Sequence, residues 1–150
     1  MQKITPFLWY DGNVQEAIDC YSSVFPGTTV ESTMPGPTGL AGATVNIEGQ
    51  RLILFNGGPH HKLTPAVSLY VNCETQAEVD RLWSKLIANG GREDACGWLQ
   101  DRFGLSWQIV PSILPRLLSD PDREKANRAL QAMLGMKKLD IAELERAALP

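Results

Sequence analysis

Apolar and polar positions alternate along this chain in a pattern that occurs twice. Residues 4–11 (ITPFLWYD) form an apolar, aromatic-rich strand candidate. Asn13-Val14-Gln15-Glu16 then reads as a capping box, in which Asn13 accepts from the third helical amide and Glu16 reaches back. Ala17, Ile18, Tyr21, Val24 and Phe25 recur at helical spacing, and Pro26-Gly27 ends the helix. Further strands are expected at 28–33, 42–47 and 51–55, with Glu48-Gly49-Gln50 as a hairpin turn. Between them, residues 34–39 (MPGPTG) are expected to be an irregular loop.

A shift of 62 residues brings the pattern back. Residues 66–73 (AVSLYVNC) are a strand candidate and Thr75-Gln76-Ala77-Glu78 is a second capping box. Val79, Leu82, Trp83, Leu86 and Ile87 make the stripe, and Gly90-Gly91 stops it. Strands are expected at 91–96, 97–100 and 105–110, with Asp101-Arg102-Phe103-Gly104 as a turn. Each half therefore reads β-α-β-β-β, an α+β fold in which a helix covers one sheet face and the other face needs a partner. A tail follows: a short amphipathic segment at 112–118, a helix over 121–134 with Asp120 as cap and Pro121 in its first turn, and a last helix from the capping pattern Asp140-Ile141-Ala142-Glu143 to about Ala147. The tail is expected to cover a sheet edge or to lie at a dimer interface. These boundaries divide one domain, 1–150, into module one (about 3–58), module two (about 64–111) and the tail (about 112–150).

Composition narrows the function classes. With 150 residues, 43% hydrophobic and 21% charged, the chain can bury a core without disulfides or a structural metal. A net charge of -3 and the absence of any basic cluster beyond Lys137-Lys138 argue against a nucleic-acid surface. No apolar run approaches the roughly 18 residues of a membrane span, and no signal peptide precedes the first strand. Three cysteines (Cys20, Cys73, Cys96) without C-x-x-C spacing read as reduced thiols, so a cytoplasmic location is expected.

The runs ITPFLWYDGNVQEAIDCY, NGGP, VNCET, CGWL, DRFGLSWQIVP and MKKLDI carry a resemblance to the glyoxalase/bleomycin-resistance (vicinal oxygen chelate) superfamily. Within it they resemble the 3-demethylubiquinone-9 3-methyltransferase-like, or PhnB-like, branch. The resemblance implies two tandem βαβββ modules forming curved sheets around a cavity, and often a homodimer. It also implies, for the superfamily's metal enzymes, a His opening the first strand of each module and a Glu on the last strand. Those positions hold Ile4, Ala66 and Gln108 here, with an apolar residue near Ile53, so no metal and no other cofactor is expected. A methyltransferase of the dinucleotide-fold type would show a Gly-rich turn opening a helix. Asn56-Gly57-Gly58-Pro59 follows a strand but reads as a sharp turn instead.

Strand parity then gives a candidate lining. If Ala66 faces the cavity, so do Ser68 and Tyr70; Ile4 brings Pro6, Leu8 and Tyr10, and Gln108 brings Ser106 and Val110. Phe7, Trp9, Leu69 and Trp107 would pack beneath the helices. The expected ligand-binding residues are Leu8, Tyr10, Phe55, Asn56, His60, Ser68, Tyr70, Trp98 and Gln108, a lining suited to a small apolar or aromatic molecule. Three readings stay open: a metal-free binding protein, an enzyme using Gln108, Tyr70, Ser68 or His60, and a dimeric interaction domain whose sheets are filled by packing.

Overall fold

The computed structural model describes residues 2–150. The chain divides into two compact units, the first ending at Thr64 and the second running from Pro65 to Pro150, so the tail folds with module two. The first unit contains β1 (Phe7–Tyr10), α1 (Val14–Val24), β2 (Thr28–Gly36), β3 (Gly39–Ile47) and β4 (Gln50–Asn56). The second contains β5 (Ser68–Cys73), α2 (Gln76–Ile87), β6 (Arg92–Glu93), β7 (Trp98–Gln100), β8 (Ser106–Pro111), α3 (Ile113–Leu118), α4 (Arg123–Leu134) and α5 (Ile141–Ala148). Each unit carries a four-stranded mixed sheet, ordered β1-β4-β3-β2 and β5-β8-β7-β6, with one parallel pair, β1/β4 and β5/β8. Strand, crossover helix and hairpin therefore repeat, as expected.

Local chemistry explains most boundaries. Glu48 and Gly49 both take positive φ (50° and 95°), the requirement of a tight two-residue hairpin loop between Ile47 and Gln50. Thr75 accepts from the Glu78 amide (3.1 Å) and Asp140 from the Glu143 amide (3.0 Å), so both of these caps form. The cap of α4 falls on Asp122, which accepts from the amides of Glu124 and Lys125. Asp120 accepts from the Asp122 amide and pairs with Lys125, so the helix starts two residues later than the Asp120-Pro121 pattern predicts.

Two expectations fail in module one. Residues 34–36 continue β2, and the loop shrinks to Pro37-Thr38 between the paired Gly36 and Gly39. Pro35 is tolerated because β2 is an edge strand and the register shifts beside it, between Met34 and Pro35. Asn13 makes no side-chain cap bond; its buried Oδ1 has no hydrogen-bond partner among the described residues. The free amide of Val14 instead donates to Asn56 Oδ1 (3.1 Å), at the end of β4. Asn56 Nδ2 donates to the Leu40 carbonyl (2.8 Å), so one amide ties α1, β3 and β4 together. Asn56→Ala is expected to cost about 1–2 kcal/mol in urea unfolding, whereas Asn13→Ala stays within about 0.5 kcal/mol.

The tail packs on its own module. Leu114, Leu117, Ala129, Leu139, Leu144 and Ala148 form a buried cluster that includes Val110 of β8. The carbonyls of Met136 and Lys137 accept from the amides of Cys96 and Gly97, and the Gln76 side chain bonds both Leu139 O and Ile141 N. The tail thus closes the β6–β7 connection and the start of α2. The strand expected at 91–96 is limited to Arg92–Glu93. No helix among the described residues is long and apolar enough to cross a membrane.

Candidate functional site

Which sheet face each residue occupies follows from contacts with the covering helix. In module two, Trp83 of α2 donates to Glu93 (2.7 Å), so the row Glu93–Leu99–Trp107–Leu69 lies beneath the helix. The alternate rows face away. One is Tyr70–Gln108–Trp98; beside it runs Ser68–Ser106–Gln100–Arg92. Val110 shares this face, so the tail cluster borders it at one end. Gln108 Nε2 donates to Ser68 Oγ (2.9 Å), fixing the amide against a hydroxyl. Ser106 is 1% exposed and its Oγ has no hydrogen-bond partner among the described residues. Tyr70 is 47% exposed, and partial desolvation pushes its phenol up, so it remains protonated at neutral pH.

In module one the parity is the reverse of that expected. Tyr10 and Tyr21 share a buried hydroxyl–hydroxyl bond (3.0 Å), which places Tyr10 and Leu8 beneath α1. Asn56, paired with Tyr10, lies on the same side and is consumed by its bonds to Val14 and Leu40. Leu8 and Tyr10 are therefore core residues, and Asn56 is a framework residue that also borders the cleft between Gly12 and Leu40 beside the start of α1. Phe55 faces away from α1, with Phe7 and Trp9, which the sequence had assigned beneath the helix. The cause is one residue. Asp11, Gly12 and Asn13 separate β1 from α1, whereas only Glu74 and Thr75 separate β5 from α2. Gly12, at φ 77°, absorbs the extra step, and a single-residue slip exchanges the two faces of a strand.

The Asn56-Gly57-Gly58-Pro59 segment is built around Trp9. Its indole donates to the Gly58 carbonyl (2.9 Å), and a methyl group on Gly57 would overlap the indole ring. His61 meets Trp9 edge-on (4.8 Å), while the expected His60 is exposed and takes no part in this cluster. Beyond Phe7, Trp9 and His61, the structure adds Asp101, expected only as part of a turn. This residue is 3% exposed and accepts from the amides of Phe103 and Leu105 and from the indole of Trp107 (2.9–3.0 Å), so it anchors the turn into β8. Its place in the D-R-F-G turn was visible, but its burial was not.

The positions implied to bind metal do not suit one. Ile4, 86% exposed, and Ala66 both precede their strands and carry hydrocarbon side chains. Matching the helix-facing strand ends, Tyr10–Asn56 with Cys73–Pro111, makes Ile53 the counterpart of Gln108. An amide engaged with Ser68 and a butyl group are poor ligands for a divalent ion, which takes imidazole or carboxylate. Among the described residues no three His, Cys, Asp or Glu side chains gather in a metal-binding group.

Cys73, buried beneath α2, belongs to the core. Burial and, next, the Glu78 carboxylate push its thiol up to about 12, so the neutral form is favoured in the fold. At pH 8 a thiol reagent is expected to modify Cys20 and Cys96, which are partly exposed, and to reach Cys73 only on unfolding. Because the folded value is raised, this contribution to stability is complete below pH 9 and is lost as pH rises towards 12, which urea titrations across that range would record.

Tandem βαβββ modules with this strand order are a fold shared with a glyoxylase/bleomycin resistance protein/dioxygenase domain from Frankia, at 13% identity over 74% of this chain and 92% of that one, TM-score 0.51. The sequence profile of 3-demethylubiquinone-9 3-methyltransferase matches residues 2–110. The chain belongs to that family, in its PhnB-like branch. A PhnB protein from Bacillus cereus, bearing the same methyltransferase name, is 32% identical; the match covers 74% of this chain and all of that one, with a TM-score of 0.68. Protein PA1353 from Pseudomonas aeruginosa shares the fold at 23% identity over 74% of this chain and 98% of its own, TM-score 0.61. The fosfomycin resistance protein FosX from Listeria monocytogenes, solved with Mn(II) and sulfate, shares it at 15% identity over 71% and 90%, TM-score 0.53. No curated protein matches the sequence.

Proposed function

We propose that this chain binds a small apolar or aromatic organic molecule on the module-two sheet face, without a divalent ion at the superfamily's metal position. The observation that supports this most is the row Tyr70–Gln108–Trp98, in which two aromatic side chains flank one amide whose orientation Ser68 fixes. Aromatic surface with a few fixed polar groups is the usual make-up of a small-molecule site. The row carries no carboxylate, imidazole or thiol that could chelate a metal. The family name points to methyl transfer, but the Gly-rich segment after β4 opens no helix and serves to hold Trp9. It therefore lends that activity no support of the nucleotide-loop kind.

A homodimer fits the same reading. Phe7 is 53% exposed and Met34 40%, apolar surface that a second copy would cover. Native mass spectrometry of untagged protein tests the binding reading. The expected result is an organic mass retained by the wild type and released by Tyr70→Ala and Trp98→Ala. A mass retained undiminished by both variants would move the site elsewhere.

A further inference from the structure

We infer that the polar end of the ligand is an uncharged amide-type edge, a carbonyl beside an N–H, read by Ser68 and Gln108. This rests on the module-two binding reading above. Gln108 Nε2 donates to Ser68 Oγ, which leaves the Ser68 proton to donate and Gln108 Oε1 to accept. Turning the amide over reverses both roles and still presents one donor next to one acceptor. A carboxylate would set one of its oxygens against an acceptor, and an ammonium group would find no anion in the row. A carbonyl adjacent to an N–H satisfies both positions at once.

Ser106 supplies an independent observation. It is the register partner of Ser68, on the same face, and its buried hydroxyl has no hydrogen-bond partner among the described residues. A buried hydroxyl left unpaired is costly, so this site holds hydrogen-bonding capacity that the protein alone does not use. A ligand carbonyl that draws the Ser68 proton towards itself leaves the Ser68 oxygen able to accept from Ser106 as well as from Gln108. Tyr70 and Trp98 stand on either side of Gln108, each one strand spacing of about 4.8 Å from it and so about 10 Å from each other, which favours a flat body lying along the row and attached to the amide edge. The one cation in register, Arg92, lies on the edge strand about 14 Å from Ser68, three strand spacings away.

Three probes of one shape separate the possibilities: benzamide, benzoate and benzylamine, titrated into the full chain while the Gln108 side-chain amide and Trp98 indole resonances are followed. Benzamide is expected to shift both signals and to bind about tenfold more tightly than either charged probe. Gln108→Leu and Ser68→Ala should each erase that preference, with the remaining amide resonances showing that the fold is kept. Equal binding of all three at Trp98 would overturn the amide edge while leaving the aromatic site standing. Benzoate preferred at Gln108 would overturn it as well, whereas benzoate shifts confined to Arg92 alongside benzamide shifts at Gln108 would support it. No shift at Trp98 or Tyr70 with any probe would overturn the site itself.

Discussion

Asp101→Ala is expected to lower the unfolding free energy by about 3–5 kcal/mol, because three donors lose the carboxylate they share and hydrogen bonds to charged groups contribute about 1.5–3 kcal/mol each. One carboxyl group accepts from two backbone amides and the Trp107 indole, all in the segment that turns β7 into β8. Alanine leaves these donors without their acceptor, and each buried unpaired donor costs about 1–3 kcal/mol. Asp101→Asn keeps one acceptor oxygen but turns an NH2 towards a donor, so an intermediate loss is expected. Urea unfolding followed by tryptophan fluorescence measures both. A loss for Asp101→Ala below about 1 kcal/mol would show that water reaches this turn and that the carboxyl is not its anchor. Gln108 sits one residue beyond Trp107, so the same loss should also disturb the Gln108–Ser68 bond on the opposite face.

The second large effect separates the two faces of β1. Tyr10→Ala is expected to cost about 3–5 kcal/mol, because the ring is 2% exposed and its hydroxyl bonds Tyr21 in the core. Phe7→Ala, on the opposite face and 53% exposed, should cost less than about 1 kcal/mol in the monomer. The contrast is a direct test of the reversed parity. Were Phe7 the costly residue and Tyr10 the cheap one, β1 would lie in the register first expected from the sequence, with Tyr10 in the lining. For the proposed homodimer, dissociation measured by sedimentation should respond in the opposite order, since of the two residues only Phe7 lies on open surface.

Much of the architecture was legible because helix signals are local. The stripe Val79, Leu82, Trp83, Leu86 and the caps at Thr75 and Asp140 are each written within a few residues, and the repeated stripe of α1 announces a second module. The strand faces of module one were not legible for a physical reason. A shift of 62 aligns the helices, but the extra Gly12 displaces β1 by one position against them, and no residue pattern within Phe7–Tyr10 distinguishes the two faces when both are apolar. Module two has polar Ser68, Gln108 and Ser106 on one side only, so its alternation carried the information. Long-range partners were also hidden: nothing near Asn13 signals that Asn56 takes over its capping role, and nothing near Pro35 shows that the strand beside it is an edge.

Under the proposed function, the Gln108 amide held by Ser68 leaves β8 without a metal ligand. Calorimetric titration of the full chain with Mn(II), Ni(II) and Zn(II), with metal analysis of the dialysed protein, is the decisive measurement. Expected under that proposal is no stoichiometric uptake at this face and no difference between wild type and Gln108→Ala. Uptake of one ion per chain that Gln108→Ala abolishes would contradict it, and would place a metal where the residues present argue for a neutral ligand.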